Sequence, residues 1–144
     1  MEELVIRPAR EEDVGALAAL STELGYPVGE AAMRERMARI AAHPDYHTLV
    51  AERGGRVIGM AGLTRGLAHN RDGWQARLLA LVVDPAERGG GVGARLVRAA
   101  EAWAREVGSA TLYLTTAMHR EDTHRFYRNL GYEATGLRFL RKLD

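Results

Sequence analysis

The residues best placed by type and spacing to do chemistry lie between 78 and 94. An apolar run, Leu78, Leu79, Ala80, Leu81, Val82 and Val83, leads through Asp84, Pro85, Ala86 and Glu87 into Arg88, Gly89, Gly90, Gly91, Val92, Gly93 and Ala94. That order reads as a buried strand, a short turn, a glycine-rich loop and a helix start. Such a loop aims backbone N–H groups at the start of a helix toward an anion. Glycine lets a backbone come close to a phosphate and take a positive φ without strain. Consecutive glycines are otherwise a poor helix start, each costing roughly 0.5–1 kcal/mol against alanine. The cost points to a phosphorylated ligand that offsets it.

Three glycine-loop chemistries compete. A nucleoside-triphosphate loop needs Gly-x-x-x-x-Gly-Lys-Ser/Thr, and no lysine or hydroxyl follows these glycines. A dinucleotide loop needs Gly-x-Gly-x-x-Gly/Ala, which residues 89–94 match formally. A run of glycines satisfies many patterns, however, and the dinucleotide turn sits directly after its strand with a ribose-binding acid ~20 residues on. Here residues 84–88 intervene, and the next apolar strand ends in Thr116, Ala117 and Met118 rather than an acid. A nicotinamide-dependent oxidoreductase is therefore poorly supported, and a third family, taken up below, is favoured. His119 and His124 lack the i,i+4 spacing of helical metal ligands and no third ligand accompanies them, so no metal site is expected.

The elements that must position this loop follow from periodicity. A strand at 4–7 closes at Pro8, and a helix at 11–24 buries Val14, Leu17, Ala18, Ser21 and Leu24. A second helix at 29–42 turns Met33, Met37 and Ile40 to one face. Strands at 48–52 and 56–63 flank a hairpin turn at Arg53, Gly54 and Gly55. A loop at 65–73 precedes a central strand at 74–83. The helix after the glycines runs over 91–107, with Val92, Leu96, Ala100, Trp103 and Val107 as its buried stripe and Gly108 as its end. A strand at 111–115, a short helix at 122–130 capped by Asp122, and a β-rich tail at 132–143 broken near Gly136 complete the order. This is a single α+β, or mixed α/β, domain over residues 1–144.

Bulk composition removes several function classes. Twenty basic against nineteen acidic residues leave a net charge of +1, so no overall field draws nucleic acid or an anionic membrane. The absence of cysteine excludes disulfides and thiolate metal sites. Residues 1–7 lack the shape of a signal peptide, and no apolar run approaches the ~20 residues of a membrane span. A cytoplasmic location is the expectation.

Residues 82–97 resemble the cofactor motif of the Gcn5-related N-acetyltransferases (GNAT), and His124, Arg125, Phe126, Tyr127, Arg128, Asn129, Leu130, Gly131, Tyr132 and Glu133 resemble that family's second motif. Val50, Ala51 and Glu52 followed by Val57, Ile58 and Gly59 are similar to its paired strands ahead of the cofactor site. Two motifs in the right order and at the right separation are far more specific than either alone.

The resemblance implies the acyl-CoA N-acyltransferase fold, a central mixed sheet of six to seven strands flanked by about four helices. It implies acetyl-CoA as cosubstrate, lying where the strands at 78–83 and 111–115 splay apart. The pantetheine arm would pair with unpaired backbone of Leu81, Val82 and Val83, and the pyrophosphate with N–H groups of Arg88, Gly89, Gly90, Gly91, Val92, Gly93 and Ala94. It further implies that Tyr127 protonates the departing CoA thiolate, which a phenol of pKa ~10 can do at neutral pH. The reaction implied is direct transfer of acetyl to a primary amine of a small molecule or peptide. A homodimer is suggested by analogy of fold alone.

One part of the family pattern is missing. Many members carry an acid on the central strand, where this chain has Leu79 and Ala80. Glu23, Glu30, His47, His69 and Asp72 are candidate bases, an ordered water is a second route, and an amine of low pKa a third. The missing carboxylate keeps a non-catalytic acyl-CoA-binding regulatory module as the alternative. The acceptor site in such folds is built by the turn at 25–29 and the loop at 65–73.

Overall fold

The computed structural model describes residues 2–116 and 118–144. The chain divides into two compact units, Met1–Tyr113 and Leu114–Asp144.

The first unit holds a five-stranded sheet in the order β1-β2-β3-β4-β5. The strands are β1 (Leu4–Pro8), β2 (Tyr46–Arg53), β3 (Arg56–Leu67), β4 (Trp74–Val83) and β5 (Ser109–Tyr113). The first four pair antiparallel and β4 pairs parallel to β5. A parallel pair needs a crossover, and α3 (Val92–Glu106) supplies it. Two further helices, α1 (Val14–Leu24) and α2 (Glu30–Ala41), lie between β1 and β2 in the chain, with a 3-10 turn at Glu11–Asp13 leading into α1.

Alternation along β3 assigns the two faces of the sheet. Met60 packs with Val14, Leu17, Ala18, Met33 and Val50, so α1 and α2 cover its face. Gly59 points the other way, and a Cβ there would stand 3.0 Å from Leu96 Cδ1 and 3.3 Å from Val92 Cγ1. The missing side chain at Gly59 therefore sets how closely α3 approaches β3. On α3, Val92, Leu96, Val97, Ala100 and Ala104 are buried, and each of the larger ones contributes roughly 1.5–3 kcal/mol.

Arg7 ties the entry of α1 to the sheet. Its guanidinium donates to both carboxylate oxygens of Asp13 at 2.9 and 3.0 Å and to Glu52 Oε1 at 2.7 Å. Asp13 Oδ2 also accepts the Arg10 N–H at 2.7 Å. These bonds hold the Asp13 carboxyl below the usual carboxylate range, chiefly through Arg7, and raise the Arg7 guanidinium.

The second unit contains α4 (Glu121–Asn129) and an irregular tail. Several expectations are corrected here. Among the described residues five strands form rather than six to seven, because residues 132–143 take no strand conformation. Leu137, Phe139, Leu140 and Leu143 are exposed, so apolar alternation alone did not pair this segment with a neighbouring edge. Strand β3 runs on to Leu67 because its ladder with β4 continues through the Leu67–Trp74 pair, shortening the expected 65–73 loop to 68–73. Strand β5 occupies Ser109–Tyr113 rather than 111–115, and Asp122 sits inside the first turn of α4, bonded to Arg125 at 3.3 Å, instead of capping it.

Replacing Asp13 by alanine is expected to cost about 3 kcal/mol at pH 7, the low end for a broken buried ion pair because Glu52 remains. The Asp13 contribution is complete above pH ~4 and is lost as pH falls through the lowered native value. Urea unfolding of wild type and variant at pH 7 and below pH 4 should show the gap closing in acid.

Candidate functional site

The site begins with an irregularity in β4. Gly62 pairs with Ala80 and Leu63 with Leu78, leaving Leu79 as the extra residue of a β-bulge. A bulge bends its strand and sharpens the local twist. Pairing of β4 with β5 reaches Arg77 opposite Tyr113 and stops there, just before the bulge. Residues 78–83 consequently pair with β3 on one side and with no strand on the other, among the described residues.

The backbone polarity of that free edge follows from one hydrogen bond. Asp84 N–H donates to the Ile58 carbonyl (2.8 Å), in register with the Gly59–Val83 and Met60–Val82 pairs. Antiparallel ladders alternate bonded and non-bonded pairs. Val82 and Ala80 therefore turn their N–H and C=O groups to β3, while Leu81 and Val83 turn theirs to the open edge. Leu81 and Val83 are the backbone groups left without a strand partner, and Val82, opposite Met60, instead buries its side chain on the α1–α2 face.

The start of the gap is held by Ser109. Its buried hydroxyl accepts the Ala76 N–H (2.9 Å) where the β4–β5 register shifts, and donates to the Thr111 carbonyl (2.7 Å). The side chain thus satisfies a backbone donor that the irregular ladder would orphan.

Beyond β4 the chain makes a 3-10 turn at Pro85–Glu87, whose Asp84 carboxylate accepts the Ala86 N–H at 3.0 Å. Arg53 fixes the same turn through Glu87 at 2.8 Å. The glycine loop follows. Gly89 and Gly91 have φ of 84° and 83°, a conformation that strains any other residue, and Gly91 is the residue before the first turn of α3. The helical ladder starts with Arg95 N–H on the Gly91 carbonyl (3.1 Å), while Arg88 N–H is drawn to Pro85 (3.4 Å). Between them, none of the N–H groups from Gly89 to Ala94 has an acceptor among the described residues. Orphan donors at the positive end of a 15-residue helix fit a phosphate. The Arg88 guanidinium is exposed.

A cavity of about 590 Å³ opens on the α1–α2 face, lined by Ser21, Leu24, Gly25, Tyr26, Pro27, Arg36, Leu79 and Ala80. Its volume falls within the usual ~300–1,000 Å³ of small-ligand pockets. The turn expected to build an acceptor site lines it, and residues 65–73 do not. None of the five candidate bases lines it either. Glu23 is exposed on α1, Glu30 pairs with Arg34 at 3.6 Å, and His69 and Asp72 are exposed in the 68–73 loop. His47 alternates onto the α3 face, where its ring stacks on Trp103 with centroids 5.7 Å apart, and burial pushes its imidazole down. Arg36 was not anticipated. A signal existed, since Arg36 falls between Met33 and Ile40 at i+3 and i−4, a charge interrupting the apolar stripe of α2.

In the second unit, Tyr127 is buried, with its ring edge-on to Phe126 (5.0 Å) and Tyr132 (5.7 Å). Burial pushes its phenol up to about 12. Among the described residues no group of histidine, cysteine, aspartate or glutamate could hold a metal ion, and no helix is long and apolar enough to cross a membrane.

The sheet opened by a bulge therefore lies beside a helix start with orphan N–H donors. Residues 14–132 match the family model described as acetyltransferase (GNAT) family, and the chain belongs to that family. It is 34% identical over 139 residues to the aminoalkylphosphonate N-acetyltransferase of Salmonella typhimurium, covering 96% of this chain and 90% of that one. The crystal structure of a Staphylococcus aureus GNAT family acetyltransferase superposes with a TM-score of 0.85 at 24% identity, covering 99% of this chain and all of the other. An aminoglycoside N-acetyltransferase in complex with CoA superposes with a TM-score of 0.88 at 20% identity, covering 100% and 97%. These two likenesses establish the shared fold.

Ser109→Ala should leave the Ala76 N–H without its acceptor. The expected loss is about 1–2 kcal/mol in urea unfolding.

Proposed function

We propose that the chain is an acetyl-CoA-dependent N-acetyltransferase that acts on a primary amine of a small molecule or peptide by direct attack. The observation that carries this is the conjunction of unpaired backbone at Leu81 and Val83 with the orphan N–H groups of residues 89–94. An extended chain bearing amides matches the first, and a pyrophosphate matches the second. Acetyl-CoA carries both.

In this reading the acceptor nitrogen attacks the thioester carbonyl, its lone pair forming the new C–N bond. The C–S electrons leave on sulfur, and Tyr127 supplies the proton that makes the thiol. Its raised pKa keeps the phenol protonated across the working range. The ammonium form of the acceptor must first lose a proton. With no carboxylate or imidazole lining the cavity, that proton passes to solvent through water. The same feature supports the second reading, a non-catalytic acyl-CoA-binding regulatory module.

Release of CoA from acetyl-CoA, followed with a thiol reagent, tests both against an amine panel, and the cysteine-free chain adds no background. Amine-dependent release supports the enzyme, whereas tight acetyl-CoA binding without release supports the module. Tyr127→Phe should lower kcat about 100-fold with little change in the KM for acetyl-CoA. The pH profile should rise with the pKa of the amine used and show no falling limb from Tyr127 below pH ~11. A limb that stays fixed while the amine pKa is changed by fluorination would reveal a protein base. Gly91→Val forces a side chain into the left-handed region and should weaken CoA binding at least 10-fold by calorimetry, leaving kcat at saturation less affected.

A further inference from the structure

Resting on the acetyltransferase reading, we infer that the acceptor is a short-chain amine carrying an anionic oxyacid group, which Arg36 receives in the cavity beneath the α1–α2 turn. Arg36 is the one charged residue lining that cavity. Arg36 is exposed and no ion pair neutralises it among the described residues; Arg34 on the same helix pairs with Glu30, and Arg39, which also lacks an ion pair, does not line the cavity. A free guanidinium in a cavity without carboxylates repels a polycationic amine. Its planar fork matches the two oxygens of a carboxylate, phosphonate or phosphate.

The remaining walls agree with a short aliphatic spacer. Leu24, Pro27, Leu79 and Ala80 offer methylene contacts, and the Ser21 hydroxyl already spends its one hydrogen on the Tyr26 carbonyl at 2.8 Å, so it adds no donor to the cavity. Leu79 and Ala80 immediately precede Leu81, whose backbone faces the opened edge. An acceptor anchored at Arg36 would lie along these two residues with its amine toward that edge. Arg36 also borders a hollow formed with Ala32, Glu35, Arg39 and Ile40, but that hollow lies on α2 alone and is reached by no residue of β4.

The test compares 2-aminoethylphosphonate, β-alanine, propylamine and 1,3-diaminopropane as acceptors, with rates normalised to the neutral amine fraction. The two acidic amines should exceed propylamine at least 10-fold in kcat/KM, and the diamine should be poorest. Arg36→Ala should reduce the acidic-to-neutral ratio at least 10-fold, and Arg36→Glu should raise the diamine above the acidic amines. Arg34→Ala, outside the cavity on the same helix, should preserve the ratio. Circular dichroism and acetyl-CoA binding confirm that each variant is folded. Acetylation without preference for acidic amines, or a ratio unmoved in Arg36→Ala, overturns this inference and leaves the acetyltransferase reading standing. No acetylation of any amine while acetyl-CoA still binds overturns both.

Discussion

The extra residue at Leu79 is the constraint on which the rest of the site depends. Two neighbouring parallel strands would ordinarily close on each other and consume every backbone group between them. Here β4 keeps its ladder with β3 by absorbing one residue, and the resulting bend coincides with the end of its pairing to β5. The opened edge costs the sheet a set of hydrogen bonds. That cost is tolerable only if water or a ligand satisfies Leu81 and Val83. Leu79 and Ala80 line the cavity on the α1–α2 face, so one irregularity shapes both the open edge and the cavity.

The two faces of the sheet divide the labour. Helix α3 must pack tightly, because its first turn carries the orphan N–H donors and a loose helix would scatter them. Gly59 permits that approach, and the buried stripe from Val92 to Ala104 holds it. The opposite face carries a pair of helices whose connecting turn lines the cavity. Arg7, Asp13 and Glu52 pin the entry to that pair, and hydrogen bonds between Ser21 and Tyr26 hold the turn at Gly25.

The parts legible in the sequence were those governed by local chemistry. The glycine loop announced its helix, the central strand matched at both ends, and the hairpin at Gly54 and Gly55 followed from turn residues. The illegible parts depend on partners distant in the chain. The tail at 132–143 reads as β-rich, but a strand exists only where another edge accepts it. The bulge at Leu79 has no signature in an unbroken apolar run, so the selection of Leu81 and Val83 over Val82 could be read only from register. Arg36 was hidden for the same reason, since its stripe became meaningful once β4 lay opposite the turn.

Proton accounting joins these features. An amine that carries its own anion holds its ammonium proton more firmly, because the opposite charge favours the charged form. In a site without a carboxylate or imidazole to take that proton, such an acceptor would be at a disadvantage. A guanidinium paired with the acceptor's oxyanion cancels that internal attraction, while a cation facing a diamine does nothing to relieve its second charge. In the proposed reading, the absence of an acid at Leu79 and Ala80 and the presence of Arg36 are complementary: the site would not remove the proton by force but would remove the reason the acceptor has to keep it.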